Sequence, residues 1–227
     1  ESICENLGVV PATIAILNGE IRVGLESFEL KKISNSKKIQ NVSSRELGLA
    51  TSLGWDGATT VSSTMRIASN NNIEVFSTGG IGGVHQQAGQ TFDISQDILA
   101  LSQVSMLVVS SGAKSVLDLA KTLELLETFG VSVVGFKTNN FPSFYSRSSG
   151  LGKINRIDSP KEIVEVFINN QLLELPCSIL VSNPVPMEDE ILPTEIDSVI
   201  KKALVELKKN QVSGKAVTPF LLDAIFK

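Results

Sequence analysis

Lys114 stands between an apolar run that ends at Ser110 and an amphipathic stretch that begins at Ser115. Read as strand then helix, this puts the lysine at a helix N-terminus. That end carries partial positive charge and favours the free amine over the ammonium. A free amine is what imine formation with a carbonyl compound requires. A solvated lysine at a loop tip would occupy the same position. Upstream, Gly79-Gly80-Ile81-Gly82-Gly83 is a glycine loop. Glycines let backbone N–H groups approach an anion, so a phosphate fits, with Thr78, Gly79 and His85 as candidate contacts. A tight turn after a strand explains the same residues equally well. The spacing is neither a dinucleotide fingerprint nor a P-loop. Asp93 and Asp97 are four apart, so they could share a helix face, or Asp93 could cap while Asp97 points inward. Carboxylates suit Mg²⁺ or Mn²⁺, whereas a cap followed by a first-turn acid is the structural alternative. His85 is the only histidine, and a lone histidine is more often a structural hydrogen-bonder than a catalyst. No Ser-His-Asp set is evident. Phe141-Pro142-Ser143-Phe144-Tyr145 could line a pocket for a base or pack beneath a loop.

The elements that must position these residues follow from periodicity. Residues 12–17 and 20–25 flank Asn18-Gly19, a strong hairpin signal. Short, nearly continuous apolar runs at 73–77, 104–110, 131–136 and 178–182 suit strands buried on both faces. Helical patterns separate them at 58–70 (with Asp56 as N-cap), 95–103, 115–129, 160–172 and 194–209. The expected fold is α/β, a three-layer α/β/α sandwich with a mostly parallel central sheet that the early hairpin makes mixed. The glycine loop, the Lys114 loop, Lys137-Thr138-Asn139-Asn140 and Asn183-Pro184-Val185-Pro186 each follow a strand. In open α/β sheets ligands sit beyond the strands' carboxyl ends, so these loops outline a site.

At 227 residues with 42% hydrophobic content, the chain can bury a sizeable core, and one domain over 1–227 is the simplest reading. A helix already under way before Gly8, and another just begun at Thr218-Pro219, suggest a domain incomplete at both ends. The net charge of −4, without a long basic block, disfavours a nucleic-acid backbone as partner. No run is suited to spanning a bilayer and no leader opens the chain, so no membrane role is expected. Cys4 and Cys177 form neither a zinc nor a redox spacing, which fits a cytoplasmic protein.

Several segments together resemble the pseudouridine-5'-phosphate glycosidases of the indigoidine-synthase-A-like family. They include Val10-Pro11-Ala12-Thr13-Ile14, Gly57-Ala58-Thr59-Thr60-Val61, Thr78-Gly79-Gly80-Ile81-Gly82-Gly83-Val84-His85 and Thr91-Phe92-Asp93-Ile94-Ser95. Gly112-Ala113-Lys114-Ser115, Asn183-Pro184-Val185-Pro186 and Thr218-Pro219-Phe220-Leu221-Leu222 continue the match in order. The resemblance implies reversible cleavage of pseudouridine 5'-phosphate to uracil and ribose 5-phosphate through a lysine imine. It implies Lys114 as nucleophile, Asp93 as ligand of Mn²⁺, and Ser95-Gln96-Asp97 and Val61 as substrate contacts. It further implies a homotrimer.

The departures are specific. The family's general-acid glutamate falls before this chain begins, and an asparagine of the substrate side falls after it. A substrate-binding lysine falls at Asn41, which removes a cation near an anionic substrate. Loss of a general acid costs about 10²–10⁴-fold. An enzyme, a non-catalytic protein of the same fold that binds sugar phosphate, and an α/β enzyme acting on a different sugar phosphate all remain open at this point.

Overall fold

A computed structural model describes residues 2–36, 38–210, 212 and 217–225. The chain opens on a short helix, α1 (Ser2–Asn6). Gly8 closes it at φ 73°, its N–H on the Glu5 carbonyl and the Val9 N–H on Cys4, the glycine cap expected from the sequence. Strands β1 (Ile14–Leu17) and β2 (Glu20–Val23) pair antiparallel. Asn18 and Gly19 both have positive φ between them, as a two-residue hairpin turn requires. Then follow α2 (Ser27–Asn35), β3 (Gln40–Val42), a 3-10 turn at Ser44–Glu46, α3 (Leu47–Ser52), β4 (Gly57–Thr59) and α4 (Val61–Asn70). Four strands form a mixed sheet in the order β2-β1-β4-β3, with β3 and β4 parallel. Ile16, Val42 and Ala50 are its core, with Leu47 and Trp55 packed on them.

Asp56 is not the cap of α4. Gly57, Ala58 and Thr59 are drawn into β4, which pairs with both β1 and β3. The helix therefore starts later, with Thr60 at its N-cap. Asp56 instead accepts the Asn18 N–H at 2.8 Å and pairs with Lys32 at 2.8 Å.

The chain divides into two compact units, with the boundary between Phe76 and Ser77 inside β5 (Val75–Ser77). The second unit continues with α5 (Ala88–Thr91), α6 (Gln96–Gln103), β6 (Leu107–Ser110), α7 (Leu119–Thr128) and β7 (Ser132–Phe136). It ends with β8 (Asn155–Ile157), α8 (Pro160–Leu172), β9 (Ile179–Ser182), α9 (Pro193–Lys209) and α10 (Val217–Ile225). The sheet order is β5-β6-β9-β7-β8, and the β6–β9, β9–β7 and β7–β8 ladders are all parallel. The antiparallel hairpin expected in one central sheet thus belongs to a separate sheet, because β1 pairs with β4.

Parallel strands need both faces covered, and β6 and β9 are accordingly apolar at 107–109 and 179–181, each ending in a buried serine. Ile163 and Phe167 of α8 pack on Leu107, Val134, Ile179 and Val181. Helix α9 buries Ile196, Ile200, Ala203 and Leu207, a stripe at helical spacing, and packs with α10. Such a frame holds the carboxyl ends of β6, β9 and β7 at one edge, where the candidate loops emerge.

Candidate active site

Lys114 is fixed by main-chain bonds on two sides. Toward the glycine loop, the Ser111 N–H donates to Gly79, the Ile81 N–H to Gly112 and the Lys114 N–H to Ile81, at 2.9–3.1 Å. Toward the aromatic segment, the Phe144 N–H donates to Ser111, and the Ser111 hydroxyl donates to the Phe144 carbonyl at 2.9 Å. Gly112 has φ +78°, and a Cβ there would lie 2.3 Å from the Pro142 carbonyl oxygen. Only glycine fits at that point. Phe141 is fully buried and the Phe144 ring lies over Gly80, so this segment packs beneath the loops.

Helix α7 does not begin directly after Lys114. Residues 115–118 form a turn, and Asp118 caps the helix by accepting the Lys121 N–H at 3.1 Å. Val116 and Leu117 are buried loop residues whose apolar character mimics a helix stripe. Lys114 therefore stands outside the first turn of α7, where a helix-end field acts. Its surroundings come instead from the strip Gly83-Val84-His85.

That strip lies between two partners. On one side Val84 bridges Ile94, with the His85 N–H on the Asp93 carbonyl at 3.1 Å and the Ser95 N–H on Gly83 at 3.0 Å. On the other, His85 bridges Leu117 and the Asp118 N–H donates to Val84 at 2.8 Å. The result brings three candidates together. His85 Nδ1 is 4.0 Å from Asp93 Oδ2, with 14% of the imidazole side chain exposed. Burial pushes the His85 pKa below its usual 6.5; the Asp93 carboxylate opposes this and the Lys114 ammonium adds to it. Among the described residues no hydrogen bond or ion pair holds the Lys114 amine.

The other candidates have structural duties. Ser95, not Asp93, caps α6 by accepting the Asp97 N–H at 3.2 Å. Gln96 is the helix's first residue and half-buried. Asp97 is buried, and its Oδ2 accepts the Gly82 N–H at 2.8 Å. The two aspartates therefore do not share a helix face. In the glycine loop the amides of Thr78, Ile81, Gly82 and Val84 are all engaged within the protein, so they do not face an anion. Gly79 is exposed. Gly82 and Gly83 are needed for close approach: a Cβ on Gly82 would lie 2.3 Å from Ser95 Oγ, and one on Gly83 2.5 Å from Thr122 Oγ1. No pattern in the sequence marks Thr122, which lies inside a helix stripe. Asn41 and Val61 belong to the first unit. Asn41 is exposed on β3 opposite Ala58, and Val61 is the buried first residue of α4.

Residues 1–227 match the family described as indigoidine synthase A like protein. The chain belongs to that family. It is 45% identical over 219 residues to a pseudouridine-5'-phosphate glycosidase of Kosmotoga olearia, covering 96% of this chain and 75% of that protein. It is 46% identical over 225 residues to the enzyme of the same name from Geobacillus kaustophilus, covering 99% and 75%. Among solved structures it is similar to a prealnumycin C-glycosynthase in complex with ribulose 5-phosphate (TM-score 0.91, 36% identity, 99% of this chain and 74% of that one). An indigoidine synthase A-like protein of Thermotoga maritima is equally similar (TM-score 0.91, 39% identity, 99% and 73%).

Among the described residues no three His, Cys, Asp or Glu side chains form a metal-binding group. The Asp93 carboxylate, half-buried beside His85, could hold a hard ion that keeps most of its waters, the usual habit of small divalent cations bound by one or two carboxylates.

Proposed function

We propose that this chain is a pseudouridine-5'-phosphate glycosidase with Lys114 as its nucleophile. The relatives bear that name, and a structural neighbour holds ribulose 5-phosphate. The observation that carries the reading is the unpaired Lys114 amine beside the His85–Asp93 pair. A C–C bond cannot be broken by protonating a leaving oxygen, so the enzyme must supply an electron source at C1'. The Lys114 amine attacks C1', and the C1'–O4' bond pair leaves on O4', which takes a proton as the ribose opens. Uracil C5 then gains a proton. The nitrogen lone pair forms a C=N bond as the C1'–C5 pair returns to the uracil ring. Water adds to the imine, and ribose 5-phosphate leaves.

His85 suits the first proton transfer. Its lowered pKa leaves it neutral near pH 7, able to accept the proton that Lys114 must lose before attack. Asp93 orients the imidazole and is the residue that would hold Mn²⁺, whose chemistry is to polarise substrate oxygens. Ser95, Gln96, Thr78 and Gly79 are retained as substrate contacts, and Asp97 as the brace of the glycine loop. The homotrimer and the cytoplasmic location belong to the same reading; among the described residues no helix is long and apolar enough to cross a membrane.

The test is uracil release from pseudouridine 5'-phosphate with Mn²⁺ present. Lys114→Ala lowers it at least about a thousandfold. Borohydride with ribose 5-phosphate adds mass at Lys114, and an adduct at another lysine sinks the assignment. A second reading rests on Asn41, neutral where the resemblance expects a lysine. On that reading the chain binds ribose 5-phosphate, seen as a thermal shift, and releases no uracil.

A further inference from the structure

Both main-chain polar groups of Val84, the residue before His85, are held by α7 and its cap. The Val84 N–H donates to the Thr122 hydroxyl at 3.0 Å. The Val84 carbonyl accepts the Asp118 N–H at 2.8 Å. Thr122 in turn donates to the Asp118 carbonyl at 2.7 Å, so one hydroxyl is donor and acceptor at once. A helical threonine often bonds back to the carbonyl four residues earlier, and that bond alone adds little. Here the remaining lone pair is aimed out of the helix, at the segment that carries His85.

Thr122 is fully buried, so water does not substitute for it. Gly83 is seated against its side chain, with no room for a Cβ. The same few residues also set the Lys114 turn. His85 bridges Leu117, and the Leu117 N–H donates to the Lys114 carbonyl at 3.0 Å. Holding Val84 therefore holds the imidazole and the amine in one frame.

We infer that Thr122 is a positioning residue: through Val84 it fixes His85 relative to Lys114 without touching substrate. The inference rests on the glycosidase reading above. Thr122→Val keeps the shape but leaves the Val84 N–H without an acceptor in a buried site. Misplacing reacting groups by about an ångström costs on the order of a hundredfold in rate.

The experiment measures kcat and KM for pseudouridine 5'-phosphate in the wild type, Thr122→Val and Thr122→Ser. Amide hydrogen exchange is followed at Val84 and His85. The expected result for Thr122→Val is a fall in kcat of about ten- to a hundredfold, with KM within about threefold. Its Val84 and His85 amides exchange faster, and Thr122→Ser, which restores the acceptor, recovers most of the rate. If Thr122→Val does not fold, the smaller hydroxyl-free variant Thr122→Ala is read in its place. A folded hydroxyl-free variant with wild-type kcat overturns the inference, as does Thr122→Ser falling as far as the hydroxyl-free variant. Wild-type protein that neither releases uracil nor traps an adduct at Lys114 overturns the enzyme reading, and this inference with it.

Discussion

A lysine becomes a nucleophile only after it loses a proton, so the charge balance around Lys114 decides whether it reacts. The chain's single histidine reports on that balance, because its imidazole C–H signals in proton NMR belong to His85 alone. In metal-free buffer its titration midpoint falls below 6.5. Burial is the larger cause, and the two neighbouring charges act with opposite signs. Asp93→Asn removes the charge that raises the pKa, so the midpoint moves further down. Lys114→Ala removes a charge that lowers it, so the midpoint moves up, short of 6.5 because burial remains. The linked effect on stability has a definite sign. Between the folded midpoint and 6.5 the unfolded chain binds more protons. The His85 contribution is therefore complete above pH 6.5 and is lost as pH falls toward the folded midpoint. A wild-type midpoint above 6.5, or a downward shift in Lys114→Ala, refutes this account. As residue types, Lys114, Asp93 and His85 could be singled out in the sequence. Their meeting could not, because two isolated bridges bring together segments with no shared periodicity.

The glycine loop was recognisable as unusual, but its composition alone could not separate anion binding from close packing. The structure assigns Gly82 to packing, against Ser95 and the buried Asp97. Gly82→Ala must displace that pair, and unfolding by denaturant should show a loss of about 1–3 kcal/mol. Gly89→Ala is the control, since no atom lies within 4 Å of an added Cβ; its stability stays unchanged or rises slightly. Equal losses in both would remove the packing account. Helix boundaries misled for a related reason. Val116 and Leu117 continue the apolar spacing of α7 but lie in the turn before it. Periodicity records which residues are buried, and a buried turn next to a helix looks like more helix. By contrast, α8 runs from Pro160 to Leu172 as read, because Ser159 and Pro160 give it a capped start.

On the scale of the whole chain, the alternation of apolar runs and helical stripes was enough for the α/β class. It was not enough for β3, β4 and β8, which are three residues each. Strands that short have no measurable period, and pairing with neighbours makes them, so the separate four-stranded sheet that β3 and β4 complete was hidden. Net charge was readable directly and has a kinetic consequence. The protein carries −4, and a sugar phosphate carries about −1.5 to −2 near neutral pH. Long-range repulsion therefore opposes encounter, while the close contacts at Lys114 act over a few ångströms. Raising ionic strength from about 10 mM to about 150 mM shortens the screening length from about 30 Å to about 8 Å. That removes the distant repulsion and leaves the close contacts largely intact. The expected outcome is a kcat/KM for pseudouridine 5'-phosphate that rises over this range by less than about threefold. A steep fall would mean instead that a cationic funnel gathers the substrate, with local charge outweighing the net charge.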